Sequence, residues 1–597
     1  MFYLFHVFRS FLPLHNPIGF GPADFIGFAL ALMLVCFAVA RKFWIEALHR
    51  FAAHTAWSML GLFLLPIALR LALIPVHPIP SAAVTDDFSY LLLADTLSHL
   101  RLANPPHPLH QFFETYYVLQ DPTYSSIYAL GQGIAIALGQ VIFRTPWAGV
   151  ALSVGLLSAL VYWMLRAWTS AAWSLLGGVF AAIEFGPLSH WMNSYWGGAV
   201  SAIAGCLVFG ALPRLRDHAH LRDAALLGLG LGLQLLSRPY ESIFLVLSAA
   251  VFLLPSIREL RKPISIAILT TLPAIGLMAL QNKSVTGHWT TMPYALSRFQ
   301  YGIPTTFTFQ PNPIPHRDLT PQQHLAYEVQ SSVHGTSPET SRTYLTRLAS
   351  RARFYRFFFL APLYLALPFF VPLLRQSRFR WIALTCLLFA LGTNLYPYFY
   401  AHYIAALTCL FVLITVASLD QLSRIAIRGH AVGTQAATLI VLLCLAHFTF
   451  WYALHLTGKQ DFAAALWRYE SWDAINYGDP DGRIAINHQL RDAQGDHLVF
   501  VRYAPQHTIT EWVFDAADID RSRVVWARDL GPSENEKLLR YYPQRTAWLL
   551  QPDARPVQLV PYSKPDASPQ PEPPRAEPTS RPAKPSAHPK LKFEEVR

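Results

Sequence analysis

Long apolar runs recur along this chain, and nothing else in it limits the possible folds so strongly. Several approach or exceed the ~18 residues that span a bilayer as a helix, and loops carrying Arg and Lys separate them. Only 14% of the 597 residues are charged and 53% are hydrophobic, whereas an average soluble domain is about 25% charged. The chain therefore reads as a polytopic integral membrane protein. A net charge of +11 would suggest nucleic acid in a soluble protein. Here much of the excess flanks spans, where it sets orientation, and nucleic acid is not an expected partner. Cys36, Cys206, Cys386, Cys409 and Cys444 all lie in apolar runs without CxxC spacing, so they read as small core residues rather than disulfides or metal ligands. Arg9 and the Pro- and Gly-broken stretch after it argue against a cleavable signal peptide.

The apolar pattern predicts an all-α membrane bundle of about 11–13 transmembrane helices over residues 1–456. Expected spans lie at about 25–40, 55–76, 147–165, 172–185, 197–212, 224–236, 243–254, 264–280, 357–374, 381–396, 403–418 and 437–456. The short Gly- and Gln-rich segment 127–143 reads as interfacial or re-entrant, since dipping backbone survives only when buried in protein or lining a cavity. Arg41, Lys42 and Arg50 place 41–54 inside. The same choice puts Arg214, Arg216 and Arg222, then Arg258, Arg261 and Lys262, then Arg375, Arg378 and Arg380, then Arg424 and Arg428 inside. Loops 77–126 and 282–353 then face outside, as does the tail. Segments 498–502, 523–527 and 546–550 read as strands and 534–541 as a helix, which predicts a small extracytoplasmic α/β domain at 457–562. Residues 563–597, rich in Pro, Lys, Ser, Ala and Glu, read as disordered.

One polar stretch stands out against this background. Thr85-Asp86-Asp87-Phe88-Ser89-Tyr90 opens the first outside loop directly after a span. Acids at a span mouth are costly unless solvated or used. A structural reading exists: Thr85 as a helix cap with both acids in a favourable first turn. Arg238 before Pro239 likewise fits a span start, and His402 beside Tyr403 fits a satisfied interfacial pair. His99, His107 and His110 with Glu114 lack HxxxH or HExxH spacing, and the three read as solvated loop histidines, not metal ligands. The Trp and Tyr content reads mostly as interfacial belt.

The acidic pair, with Ala94-Asp95-Thr96 and the Arg101-to-Pro105 segment after it, resembles the first outside loop of the GT-C membrane glycosyltransferases. The nearest groups are the protein O-mannosyltransferases, the lipid A aminoarabinose transferase and the rhizobial lipopolysaccharide galacturonosyltransferases. The segment from Tyr128 to Gly133, Phe143-Arg144-Thr145-Pro146-Trp147, Arg238-Pro239-Tyr240-Glu241, the segment from Asn282 to Gly287, Met292-Pro293-Tyr294, the segment from Tyr301 to Pro304, and His402-Tyr403 continue the likeness over roughly residues 55–455. The resemblance implies a multi-pass protein of the bacterial inner membrane that transfers a sugar, with inversion, from a polyprenyl-phosphate donor. The acceptor is a hydroxyl or amine of envelope glycan, lipopolysaccharide, lipid or protein outside that membrane. An Asp would serve as general base towards the acceptor, and cations would hold the phosphate leaving group. The base is Asp86 or Asp87, with Asp86 favoured as the first acid; the other orients an acceptor, binds a divalent cation or caps the helix. Arg238, Lys283, Arg298 and His402 are the donor-phosphate candidates, with Tyr294 as a hydrogen-bond donor. Many family members carry a Lys before a Pro-Pro pair. Here the stretch from Asp121 to Leu130 has no Lys, so either another cation substitutes or transfer activity is lost. A catalytically inactive scaffold of envelope biogenesis and a transporter or lipid flippase stand as alternatives. Against the transporter, no inverted repeat is evident, and Glu184 is the main mid-membrane acid.

Overall fold

A computed structural model describes residues 29–31, 33, 50–82, 84–335, 339–458, 482–507 and 510–563. Most of the expected first span at 25–40, the stretch 459–481 and the tail from 564 lie outside the described residues. Helix α1 (Thr55–Ala72) leads into the loop that holds α2 (Thr85–Ser98). The short α3 (Leu130–Phe143) then turns into α4 (Pro146–Leu165). The bundle continues through α5 (Ala171–Glu184), α6 (Ala199–His218), α7 (Leu221–Ser237), α8 (Pro239–Leu253) and α9 (Arg261–Thr286). The second long loop holds α10 (Pro293–Tyr301), α11 (Pro321–His334) and α12 (Ser341–Arg351). Then come α13 (Ser377–Thr393), α14 (Thr408–Ser423) and α15 (Val432–Leu456). Proline opens α4, α8, α10 and α11 at the first helical position, where its missing N–H costs nothing. Gly287 and Gly302, at φ 79° and 69°, close α9 and α10 in the left-handed conformation that glycine adopts without strain.

Among the described residues seven helices are long and apolar enough to cross a membrane, and α3 and α5 are shorter apolar helices. The molecule is mostly helical with a small C-terminal sheet. Span 357–374 is a correction. That stretch forms three 3₁₀ segments, Ala352–Phe358, Ala361–Leu365 and Leu367–Arg375, because Pro362, Pro368 and Pro372 remove donors that a continuous α-helix needs. Similarly, Ala401–Leu407 is 3₁₀ before α14 begins.

The helices run between two ends. At one, Tyr162 Oη donates to Ala52 O at 2.7 Å and Trp173 Nε1 donates to Asp420 Oδ1 at 2.9 Å. Trp168 and Trp381 stack there at 6.2 Å. The short basic loops belong to this end. At the other, fully buried Arg70 donates to Asn193 Oδ1, His77 O and Pro78 O at 2.8–2.9 Å. It thereby ties the end of α1 to two connecting loops. Close backbone approach brings the site's elements together here. A Cβ on Gly131 of α3 would meet Ser237 Oγ at 2.2 Å, and one on Gly205 of α6 would meet Ala406 O at 1.8 Å.

The two long loops, 77–126 and 282–353, and the C-terminal unit share this second end. A two-residue ladder, β1 (Val118–Leu119) with β2 (Ser125–Ser126), stiffens the first loop. The C-terminal unit has α16 (Arg483–Asp492), β3 (His497–Val501), β4 (Val524–Arg528), α17 (Pro532–Tyr541), β5 (Thr546–Gln551) and β6 (Gln558–Pro561). Strand order is β4-β3-β5-β6, with the first three parallel and β6 antiparallel to β5. All five residues of β3 are buried, as a parallel strand covered on both faces requires. One sheet face, with α17, packs against the first long loop: Leu498, Phe500 and Val525 of the sheet and Leu538 of α17 share a core with Leu92, Phe112, Phe113 and Tyr124. His107, expected in solvent, and its neighbour Glu114 are buried in this region. His107 hydrogen-bonds Tyr542 Oη at 3.2 Å, and Glu114 accepts from Tyr301 at 3.0 Å and from Arg317. The apolar sheet of this region lies about four hundred residues away in sequence, which is why the local pattern gave no warning.

Candidate active site

The acidic pair occupies the first turn of α2, where the positive end of the helix dipole favours anions. Thr85 is not the cap. Val84 precedes the helix and Thr85 is its first residue. Consecutive helical residues point about 100° apart, and the two carboxylates meet different surroundings. Asp87 is 2% exposed. Its Oδ1 accepts the Tyr195 N–H at 2.6 Å and its Oδ2 accepts the Val84 N–H at 3.4 Å. It ties α2 to the loop between α5 and α6. Asp86 is half-buried and accepts a hydrogen bond from Tyr128 Oη through Oδ1. Burial raises its pKa above the ordinary carboxylate value, while the Tyr128 hydrogen bond and the positive charge of Arg238 pull it back.

Arg238 sits between α7 and α8, as the residue before Pro239. Its guanidinium lies 4.9 Å from the Tyr403 ring centroid. Among the described residues it has no hydrogen-bond or ion-pair partner. Its charge interacts with Tyr90, Glu241, Tyr403 and Tyr128. Glu241, in the first turn of α8, is 4% exposed.

Tyrosines form the rest of the site. Tyr90 stacks on Tyr128 at 4.3 Å, and Tyr117 tilts towards Tyr128 at 6.0 Å. Opposite them Tyr403 stacks on Tyr396 at 6.1 Å, and the Tyr396 and Tyr294 hydroxyls are 2.7 Å apart. The hydroxyls of Tyr90 and Tyr403 make no hydrogen bond among the described residues, and both rings border Arg238. The Tyr396-Pro397-Tyr398 loop is fixed from behind. Buried Arg351 donates to Thr393 O at 2.8 Å, to Pro397 O at 3.0 Å and to Tyr396 O.

The remaining sequence candidates divide. Tyr294 belongs to the cluster. Arg298 stands at its edge, 5.5 Å from the Tyr294 centroid, and donates Nε–H to Pro304 O at 3.3 Å. His402 is 4% exposed, stacks on Tyr403 at 4.7 Å and meets Trp196 edge-on at 4.6 Å. Its Nδ1 is buried without a hydrogen-bond partner. Lys283 stays apart: it is exposed and donates to Gly287 O at 2.7 Å at the end of α9. Sequence reasoning missed Tyr90, Tyr117, Tyr128, Tyr396, Tyr403 and Glu241 as site residues. The tyrosines are spread over residues 90–403 at span ends, where tyrosine is common for interfacial reasons alone. Among the described residues no group of three or more His, Cys, Asp or Glu is placed to hold a metal ion.

No protein-family model and no curated protein matches the chain. Solved structures do. ArnT from Cupriavidus metallidurans in the apo state is similar at 12% identity and TM-score 0.46, over 84% of this chain and 93% of that one. ArnT from the same organism bound to undecaprenyl phosphate is similar at 10% identity and TM-score 0.46, over 83% and 93%. The oligosaccharyltransferase AglB from Archaeoglobus fulgidus, in complex with an inhibitory peptide and a dolichol-phosphate, is similar at 12% identity and TM-score 0.37, over 83% and 69%. These neighbours are GT-C glycosyltransferases, the class whose motifs the sequence resembles; at such identities the likeness concerns chain course alone.

Proposed function

We propose that this chain transfers a sugar from a polyprenyl-phosphate donor to an acceptor hydroxyl or amine at the outer face of a bacterial cytoplasmic membrane. One observation carries the reading. A half-buried carboxylate, Asp86, feels the charge of Arg238, whose guanidinium has no hydrogen-bond or ion-pair partner among the described residues, inside a ring of tyrosines at the end of the bundle away from the basic loops.

The chemistry follows from these groups. The acceptor oxygen or nitrogen attacks the anomeric carbon and gives its proton to Asp86. The bond from that carbon to the phosphate oxygen breaks, and its electron pair leaves with the phosphate. Arg238 binds the charge that develops, since a guanidinium fork suits phosphate oxygens; the hydroxyls of Tyr90 and Tyr403 supply further donors. Attack opposite the leaving group inverts the anomeric centre. The tyrosine faces offer stacking surfaces and their hydroxyls polar partners, as a sugar with apolar faces and polar edges requires. Asp87 acts as a tether and not as a second base. Lys283 has no part in this arrangement, and Arg238 stands in for the lysine the segment 121–130 lacks.

The test is transfer from a panel of polyprenyl-phosphate sugars to candidate acceptors by purified protein, beside Asp86→Asn and Arg238→Ala variants of equal expression. Donor-dependent transfer that collapses with Asp86→Asn supports the reading. Equal turnover in wild type and both variants removes the pair from the chemistry. No turnover with any donor, together with an unchanged envelope phenotype in both variants, favours the scaffold.

A further inference from the structure

The helix that carries Asp86 is gripped on its far side by the C-terminal unit. Phe88 lies two residues after Asp86, about 200° around the helix. Its ring stacks on Phe514 at 4.4 Å with 6° between planes. The Arg483 guanidinium covers Phe88 at 4.4 Å and covers Trp512 at 4.4 Å. It also donates to Glu511 O at 2.8 Å. Farther along the same stripe, Leu92 is 3% exposed and shares a core with Ala517 and Ile519. Asp95 Oδ2 accepts the Ala517 N–H at 2.7 Å. Phe88, Leu92 and Asp95 are spaced i, i+4 and i+7, one face of a helix. The remaining faces are held by the bundle and by the helix's own loop: Asp87 accepts the Tyr195 N–H, Ser89 donates to Tyr117 O at 2.7 Å, and Tyr90 stacks on Tyr128. The C-terminal grip therefore fixes the roll and height of α2 at the turn that aims Asp86.

We propose that the C-terminal unit sets the aim of Asp86 by clamping α2, with Phe88, Arg483 and Phe514 as positioning residues. The proposal rests on Asp86 being the base. It gives the unit a task other than binding the acceptor: it supplies the outer wall that a helix at the membrane surface lacks. A flat guanidinium between two rings resists sliding in one direction, and a ring stack resists it in another. The two contacts fix the first turn, whereas Asp95 fixes the last.

The test uses the full chain with Arg483→Ala, Phe514→Ala, and the conservative Phe514→Tyr, which keeps the stack. Two quantities are read: kcat against donor KM in the transfer assay, and amide hydrogen exchange along residues 86–95. A misplacement of about 1 Å can cost about a hundredfold in rate. The expected result is a kcat lower by about tenfold to a hundredfold in both alanine variants, with donor KM within about twofold and recovery in Phe514→Tyr. Exchange should rise at 86–95 and stay unchanged in α4. Unchanged kcat overturns the proposal. So does a loss of kcat accompanied by a general loss of protection when exchange is also read across the C-terminal unit and the bundle, which marks a purely structural contact. If the wild type transfers from no donor, the reading of Asp86 fails separately. In that case a rise in exchange confined to 86–95 still supports the clamp, and unchanged or general exchange overturns it.

Discussion

Asp86 and Asp87 differ in what each oxygen touches, and the two substitutions should separate accordingly. Asp86→Asn keeps the shape and removes the base, so transfer should fall by about 10²–10⁴ with the melting temperature little changed. Asp87→Asn weakens a buried, charge-assisted bond to the Tyr195 N–H, worth about 1.5–3 kcal/mol. It should lower the melting temperature first and activity only through it; a thermal scan beside the transfer assay checks both. The pH profile carries a second prediction. Burial lifts the Asp86 pKa, so the acid limb of kcat/KM should lie above the ordinary carboxylate range, with activity lost as pH falls through it. The Tyr128 hydroxyl and Arg238 both favour the charged carboxylate. Removing the hydroxyl in Tyr128→Phe should therefore move that limb to still higher pH. A limb that moves down or not at all would separate Tyr128 from the base. The acid pair was legible in the sequence because two carboxylates at a span mouth break a rule of the membrane environment. Tyr128 was not, since a tyrosine at a span end breaks none.

Among the elements, period and proline content decided what could be read. The long helices follow the apolar runs, and β3, β4 and β5 follow short apolar stretches between turn residues. Segment 357–374 passed for a span on hydropathy, yet three prolines leave it no continuous ladder of hydrogen bonds. Helix α16 went unseen because RIAINHQLRD alternates too few apolar residues to declare a face. Close helix contacts were equally silent. Gly131 reads as one glycine among many until Ser237 Oγ is found where its Cβ would stand. Gly131→Ala should push α3 from the end of α7, moving Tyr128 away from Arg238; donor KM and the acid limb should both shift, while Gly276→Ala, which meets nothing within 4 Å, should shift neither. The sheet carries its own titration. Burial pushes the Asp515 carboxyl up to about 8, and its Oδ1 accepts the Trp526 N–H at 2.8 Å. A folded-state pKa above the unfolded one means stability that is fully present below about 4 and lost as pH rises through about 8. Unfolding of the C-terminal unit followed from pH 5 to 9 should show that loss, and Asp515→Asn should flatten it.

For the whole molecule, the decisive property is which end faces outward. The structure gathers Asp86, Arg238, the tyrosines and the C-terminal unit at one end and the short basic loops at the other. Positive loops stay on the cytoplasmic side, so the site and the sheet should face away from the cytoplasm, where a lipid-linked sugar and an envelope acceptor would meet. The sequence pattern carried the separation of the basic loops from the site because charge in short loops is a local signal. It did not carry the union of the sheet with the first long loop, which depends on residues such as Leu92 and Phe500 meeting across about four hundred positions. Asp217 and Asp496 are both exposed, at opposite ends. Single Asp217→Cys and Asp496→Cys variants therefore test the orientation with a membrane-impermeant maleimide. Cys206, Cys409 and Cys444 are buried, so an unaltered chain measures the background. Labelling at 496 in cells with a permeabilised outer envelope, and at 217 only after the cytoplasmic membrane is broken, is the expected result. The reverse pattern would place the carboxylate and the guanidinium inside the cell and end the case for an extracytoplasmic acceptor. Labelling at both positions in intact cells would show that the two ends do not lie on opposite sides of one membrane, and the bundle would then need another reading.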